Sequence, residues 1–187
     1  MAPIPLTVYV TPFAEQGVLE PAKWSCDAAA EALNVVNSIW SKANISFVIK
    51  DCSPEKPLDM AKSVRNRDQG VLDVLTSRHK QDNTVHIYLL NPIDNLNAGG
   101  GSYQDSDPEP ASFVQWYANT VSNGRAWAHE LGHLMTLDHV EINYQDEKRA
   151  AQRITNLMVK GLTVGKDLTD RQMSAAKGSP LVKRFGL

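Results

Sequence analysis

The stretch His129-Glu130-Leu131-Gly132-His133-Leu134-Met135-Thr136-Leu137-Asp138-His139 decides how the rest of the chain is read. Residues four apart share one face of an α-helix, so the imidazoles of His129 and His133 can reach a single metal ion, with Glu130 projecting beside them. A third histidine, His139, follows the apolar frame of Leu131, Leu134 and Leu137. Three neutral imidazoles with a fourth position open form the donor set of a catalytic zinc site, whereas structural sites close the shell, usually with thiolates. A zinc ion held this way activates a water, and Glu130 stands where it can take the proton. The bland alternative, a helix that happens to carry two surface histidines, leaves both the third histidine and the apolar frame unexplained.

Outward from this stretch, strands alternate with helices. Leu6 to Val10 reads as a strand, and Trp24-Ser25-Cys26-Asp27 opens a helix in which Ala29, Leu33, Val36 and Trp40 recur at helical spacing. Ile45 to Ile49 is strand again, and a helical stretch from Asp59 to His79 carries Val64, Val71, Leu72 and Leu75 around the breaker Gly70. Val85 to Leu90 is a strong β run, Ser112 to Tyr117 reads as one more strand, and Asn123-Gly124 reads as the turn into the helix of the motif. Between them, Asn91 to Pro110 is broken by prolines, an Asn/Asp cluster and Gly99-Gly100-Gly101, which a short edge strand fits. Thr169-Asp170-Arg171-Gln172 matches a capping box and predicts a last helix. This alternation calls for right-handed crossovers and a mostly parallel sheet with helices packed on it.

The motif resembles the metzincin signature HExxHxxGxxH, in wording nearest to its matrixin and archaemetzincin-like versions, and Asn156-Leu157-Met158 resembles the Met-turn of that family. The resemblance implies an α+β (α/β-like) fold: a mixed five-stranded twisted sheet with an antiparallel edge strand, packed on two long helices, plus a small C-terminal subdomain with a final helix. It implies one catalytic domain over residues 1–187, with an upper subdomain (residues 1–135) carrying the zinc helix and a lower subdomain (residues 136–187) carrying the Met-turn. It further implies one catalytic zinc ion on His129, His133 and His139, Glu130 as general base, and an extended peptide added as a strand to Gly101-Ser102-Tyr103-Gln104. A flexible loop is the other reading of those four residues. Two positions depart from the family pattern. Thr136 stands where the family has Gly, although a β-branched residue tolerates positive φ poorly, so Asp138, Glu141 and Glu147 are reserve third ligands. Lys160 stands two residues beyond Met158, where a switching tyrosine would be needed.

Composition narrows the partners. The 187 residues carry 19 basic and 21 acidic side chains, a net charge of −2 that offers no broad cationic surface for nucleic acid or an anionic membrane. No run approaches the roughly 20 apolar residues of a membrane span, and the start lacks the basic region and long apolar run of a leader peptide. Cys26 and Cys52 are too few for a disulfide scaffold and read as packed thiols, or as a single bridge if the protein works outside the cytosol. His86 reads as a packed strand residue and His79, between Arg78 and Lys80, as belonging to a solvated face. Asp94, Asn95, Asn97, Asp105, Asp107 and Glu109 offer oxygen ligands for a structural calcium ion, but their irregular spacing fits a turn-rich loop better. Lys148, Arg149 and Arg153 read as a solvated basic face that could favour an acidic substrate side chain.

The sequence therefore predicts a monomeric zinc metalloendopeptidase acting on a protein or peptide substrate. Two rivals remain: a zinc hydrolase of another HExxH clan with an acidic third ligand, and a non-catalytic zinc-containing binding module. The expected location is secreted, or exported without a visible signal in the manner of a bacterial effector toxin with an inhibitor or immunity protein; the cytoplasm is the alternative.

Overall fold

The computed structural model describes residues 2–15, 18–20, 22–59, 74–79, 83–91, 100–103, 110–117, 119–141, 155–160 and 165–186. Its main sheet begins with β1 (Ile4–Thr11), followed after the short strands β2 (Phe13–Glu15) and β3 (Val18–Glu20) by helix α1 (Cys26–Trp40) and β4 (Phe47–Pro54). Then come β5 (Leu58–Asp59), β6 (Val85–Leu90), β7 (Gly100–Tyr103), β8 (Ala111–Gln115) and helix α2 (Thr120–Leu134); α3 (Asp170–Gly178) and α4 (Pro180–Arg184) follow. The strand order is β4-β1-β6-β8-β7, with the first four parallel and β7 antiparallel to β8 at the edge. A second sheet, β3-β2-β5, has no counterpart among the sequence expectations.

Alternation along the strands sorts side chains onto two covered faces. Leu6, Val8 and Val10 of β1 and Val85, Ile87 and Leu89 of β6 pack with Ala32, Val36, Trp40, Trp127 and Leu131 of the two long helices. Tyr9, Tyr88, Leu90 and Phe113 join Leu58 and Leu75 in a separate apolar cluster. Every residue of β6 and β8 is buried, as central parallel strands require.

Helix α1 starts where Ser25 caps it by accepting the Ala28 N–H. Helix α2 starts earlier than expected. Asn119 is its cap, accepting from the Ser122 N–H, and Asn123-Gly124 lies inside the helix rather than at a turn. The reason is packing. A Cβ on Gly124 would stand 2.5 Å from Val35 Cβ and 2.7 Å from the Ala32 carbonyl oxygen, so glycine lets α1 and α2 touch. Asn123 is buried and uses its side-chain oxygen to accept the Tyr117 N–H. Farther along the crossing, Trp40 Nε1 donates to the Ala128 carbonyl at 3.2 Å.

Of the two readings of Cys26 and Cys52, the single bridge holds: a disulfide ties the start of α1 to β4. Two other expectations are corrected. His79 is not a solvated residue: its ring stacks on Tyr9 at 3.7 Å, close to His86 and Tyr88, and its Nε2 pairs with Glu55. Asp59 ends strand β5 instead of opening a helix, and beyond Asp59 only 74–79 of the expected helical stretch is described, with one helical turn at 74–76. The capping box at Thr169 and Gln172 is present at the start of α3. The acidic loop residues named for calcium, and Lys148, Arg149 and Arg153, lie outside the described residues. Among the described residues no helix is long and apolar enough to cross a membrane.

Candidate metal centre

Helix α2 carries His129, Glu130 and His133 in its last turns, and the way it ends delivers His139. The Leu137 N–H donates to the Gly132 carbonyl at 3.0 Å and the Thr136 N–H to the His133 carbonyl at 2.9 Å, the paired bonds of a Schellman cap. Thr136 occupies the left-handed position of that cap at φ 65, a place where glycine is the ordinary choice. The chain makes the turn with a strained threonine, and His139 returns to the helix.

The three Nε2 atoms form a nearly equilateral triangle: 3.1 Å from His129 to His133, 3.1 Å from His133 to His139 and 3.2 Å from His129 to His139. Three nitrogens about 2.0–2.1 Å from one tetrahedral centre stand roughly 3.3 Å apart, so the triangle fits a zinc ion. Backbone carbonyls set the tautomers. A carbonyl can only accept, so His129 Nδ1–H donates to Leu157 O at 2.7 Å and His133 Nδ1–H donates to Leu137 O at 2.7 Å. Both rings therefore aim an Nε2 lone pair at the common point, where facing lone pairs repel unless a cation lies between them.

All three imidazoles are held below their ordinary pKa, chiefly by burial, which disfavours the charged ring. His133, pressed also by His129, is lowered to about 4, and at His139 the charge of Lys160 adds to burial. The triad is thus neutral at pH 7, the form in which imidazole binds a metal. Among the described residues these three form the sole group of metal-ligating side chains of this kind; Asp138 and Glu141 do not join it, and Glu147 lies outside the described residues.

Beneath the triad, Asn156, Leu157 and Met158 form a tight buried turn. The Met158 N–H donates to Asn156 Oδ1, and the Val140 N–H donates to the Met158 carbonyl at 2.7 Å. Gly132 makes room for it, since a Cβ there would lie 2.5 Å from Met158 Sδ.

Glu130 is 6% exposed and points toward the edge strand, where Ser102 Oγ donates to its Oε2 at 2.7 Å. Tyr117 lies near enough for the Glu130 charge to add to burial in pushing its hydroxyl pKa up. From the sequence, Ser102 belongs to a stretch read either as the edge strand that receives a peptide or as a flexible loop, with no role of its own, and Tyr117 is not singled out. The carbonyls of Leu137 and Leu157 had no signal at all, because backbone groups carry none.

No protein-family model matches the sequence, and no curated protein matches it. Solved structures do match. The archaemetzincin of Methanopyrus kandleri superposes with a TM-score of 0.63 over 97% of this chain and 96% of its own length, at 13% identity. A chain from a chaperone–substrate complex matches at a TM-score of 0.57 and 14% identity over 97% of this chain, which spans about a third (34%) of that longer chain. A zinc-dependent peptidase of Methanocorpusculum labreanum, at 13% identity and 91% of this chain, reaches 0.48. The fold is thus similar to that of the archaemetzincin.

Proposed function

We propose that this chain is a zinc-dependent endopeptidase of metzincin type, in which His129, His133 and His139 hold one zinc ion and Glu130 is the general base. The observation that carries the reading is the triangle of imidazole nitrogens, 3.1–3.2 Å on each side, beside a buried glutamate. The similarity in fold to an archaemetzincin supports it.

Bound zinc polarises a scissile carbonyl and lowers the pKa of a water to about 7. Glu130 takes a proton from the attacking water as the new C–O bond forms, then gives it to the departing amine nitrogen as the C–N bond breaks. The products are a carboxylic acid and an amine. Strand β7 lies at the sheet edge next to Glu130, so an extended substrate can pair with it and bring one peptide bond to the triad. Asn156-Leu157-Met158 acts as the Met-turn, the floor that keeps His129 aimed. The upper subdomain (residues 1–135) and the lower subdomain (residues 136–187) then line opposite sides of one cleft. The Cys26–Cys52 bridge supports work outside the reducing cytosol, as a secreted or exported enzyme.

The test is cleavage of casein and of a mixed peptide library by the zinc-loaded chain. The reading expects turnover that falls by about 10²–10⁴-fold in Glu130→Gln while zinc is kept. Equal turnover in Glu130→Gln, or none in the unmutated protein, would overturn it.

A further inference from the structure

We infer that Ser102 is a positioning residue for the base: its hydroxyl holds one oxygen of the Glu130 carboxylate and so fixes the direction in which that group meets the attacking water. The inference rests on the peptidase reading above and adds to it a residue outside the metal motif.

Ser102 sits on β7, across from Ser112 of β8 in the antiparallel register, and is half-buried against α2. Its Oγ lies 2.7 Å from Glu130 Oε2, 2.9 Å from the Glu130 carbonyl oxygen and 3.3 Å from Ser112 Oγ. A serine hydroxyl has one hydrogen, and a carboxylate at 2.7 Å is the strongest acceptor of the three. A glutamate on a helix has three side-chain torsions, so a tether at the carboxylate removes rotation that the backbone alone leaves open. Proton transfer depends steeply on such orientation, because the base must lie within hydrogen-bond reach of the proton it abstracts. The same tether joins the base to the strand proposed to receive substrate, so it ties the position of the base to the peptide-binding edge.

The test compares Ser102→Ala and Ser102→Thr with the unmutated zinc-loaded chain, measuring kcat and KM on one peptide, zinc content by plasma emission, and the thermal midpoint. A positioning role expects Ser102→Ala to lose about tenfold in kcat with KM within twofold, one zinc per chain and a near-unchanged midpoint. Ser102→Thr, which keeps the hydroxyl, should recover most of the rate. In a Glu130→Gln background, Ser102→Ala should cost nothing further, since the two act through one group. The inference is overturned if kcat is unchanged in Ser102→Ala, if KM and the midpoint move with it, or if the loss persists in full without Glu130. No turnover by the unmutated zinc-loaded chain overturns the peptidase reading itself, and the positioning role falls with it; the other outcomes leave that reading standing.

Discussion

Thr136 concentrates the tension in this site. The Schellman cap that ends α2 requires a left-handed residue, and the cap is indispensable because its Leu137 carbonyl orients His133 while its turn returns His139. A β-branched residue at φ 65 is strained by about 1–2 kcal/mol relative to glycine, partly offset by the greater freedom glycine has in the unfolded chain. Thr136→Gly should therefore stabilise the protein by about 1 kcal/mol and leave zinc binding intact, as read from urea denaturation and metal content. Destabilisation would mean that the threonine side chain does something at the surface that offsets its backbone strain. The motif made His129, Glu130 and His133 legible from spacing alone, since a helix face is a fixed geometry, whereas His139, beyond the end of α2, was legible only through the resemblance of the motif to the metzincin signature. It could not say that Thr136 would accept the glycine conformation, because steric cost at one residue is weighed against the whole turn.

At the scale of elements, the crossing of α1 and α2 positions the metal helix. Gly124→Ala would add a methyl that meets Val35 Cβ and the Ala32 carbonyl, neither of which can swing away. The expected cost is about 2 kcal/mol even after the gain in helix propensity, measured by chemical denaturation, and a neutral substitution would show that the helices can slide apart. The disulfide acts on the same crossing from the far end of α1. Cys26 and Cys52 enclose a separation of 26 residues, so the paired change Cys26→Ser with Cys52→Ser should cost about 3 kcal/mol. An equal stability under reducing and oxidising conditions would contradict that. Helical spacing and strand runs revealed α1, β6 and β8, but Asn123-Gly124 misled because a turn dipeptide and a close helix contact ask for the same residues. The three-stranded sheet β3-β2-β5 was illegible since strands of two or three residues carry almost no periodicity.

Across the whole molecule, the covered face beneath the sheet has a pH dependence. Burial lowers the pKa of His79 despite the opposing pull of Glu55, with His86 and Arg78 nearby adding to the shift. The unfolded chain then takes up a proton near pH 6.5 that the folded chain accepts only at lower pH, so stability from this residue is present above 6.5 and lost as pH falls below it. Relative to His79→Phe, the unmutated chain should lose stability as pH falls through and below about 6.5 in urea titrations; a constant difference would refute the assignment. The parallel sheet under two helices was legible as a pattern of alternation. The crowding of His79, His86, Tyr9 and Tyr88 was not, because those residues meet only through the packing of segments far apart in sequence.

The central claim is that His129, His133 and His139 hold zinc together, and metal content tests it most directly. Plasma emission on the purified protein and on His139→Ala should find one zinc per chain in the first and little or none in the second after dialysis against a weak chelator. Zinc retained in full by His139→Ala, or absent from the unmutated protein after exposure to zinc, would contradict the account.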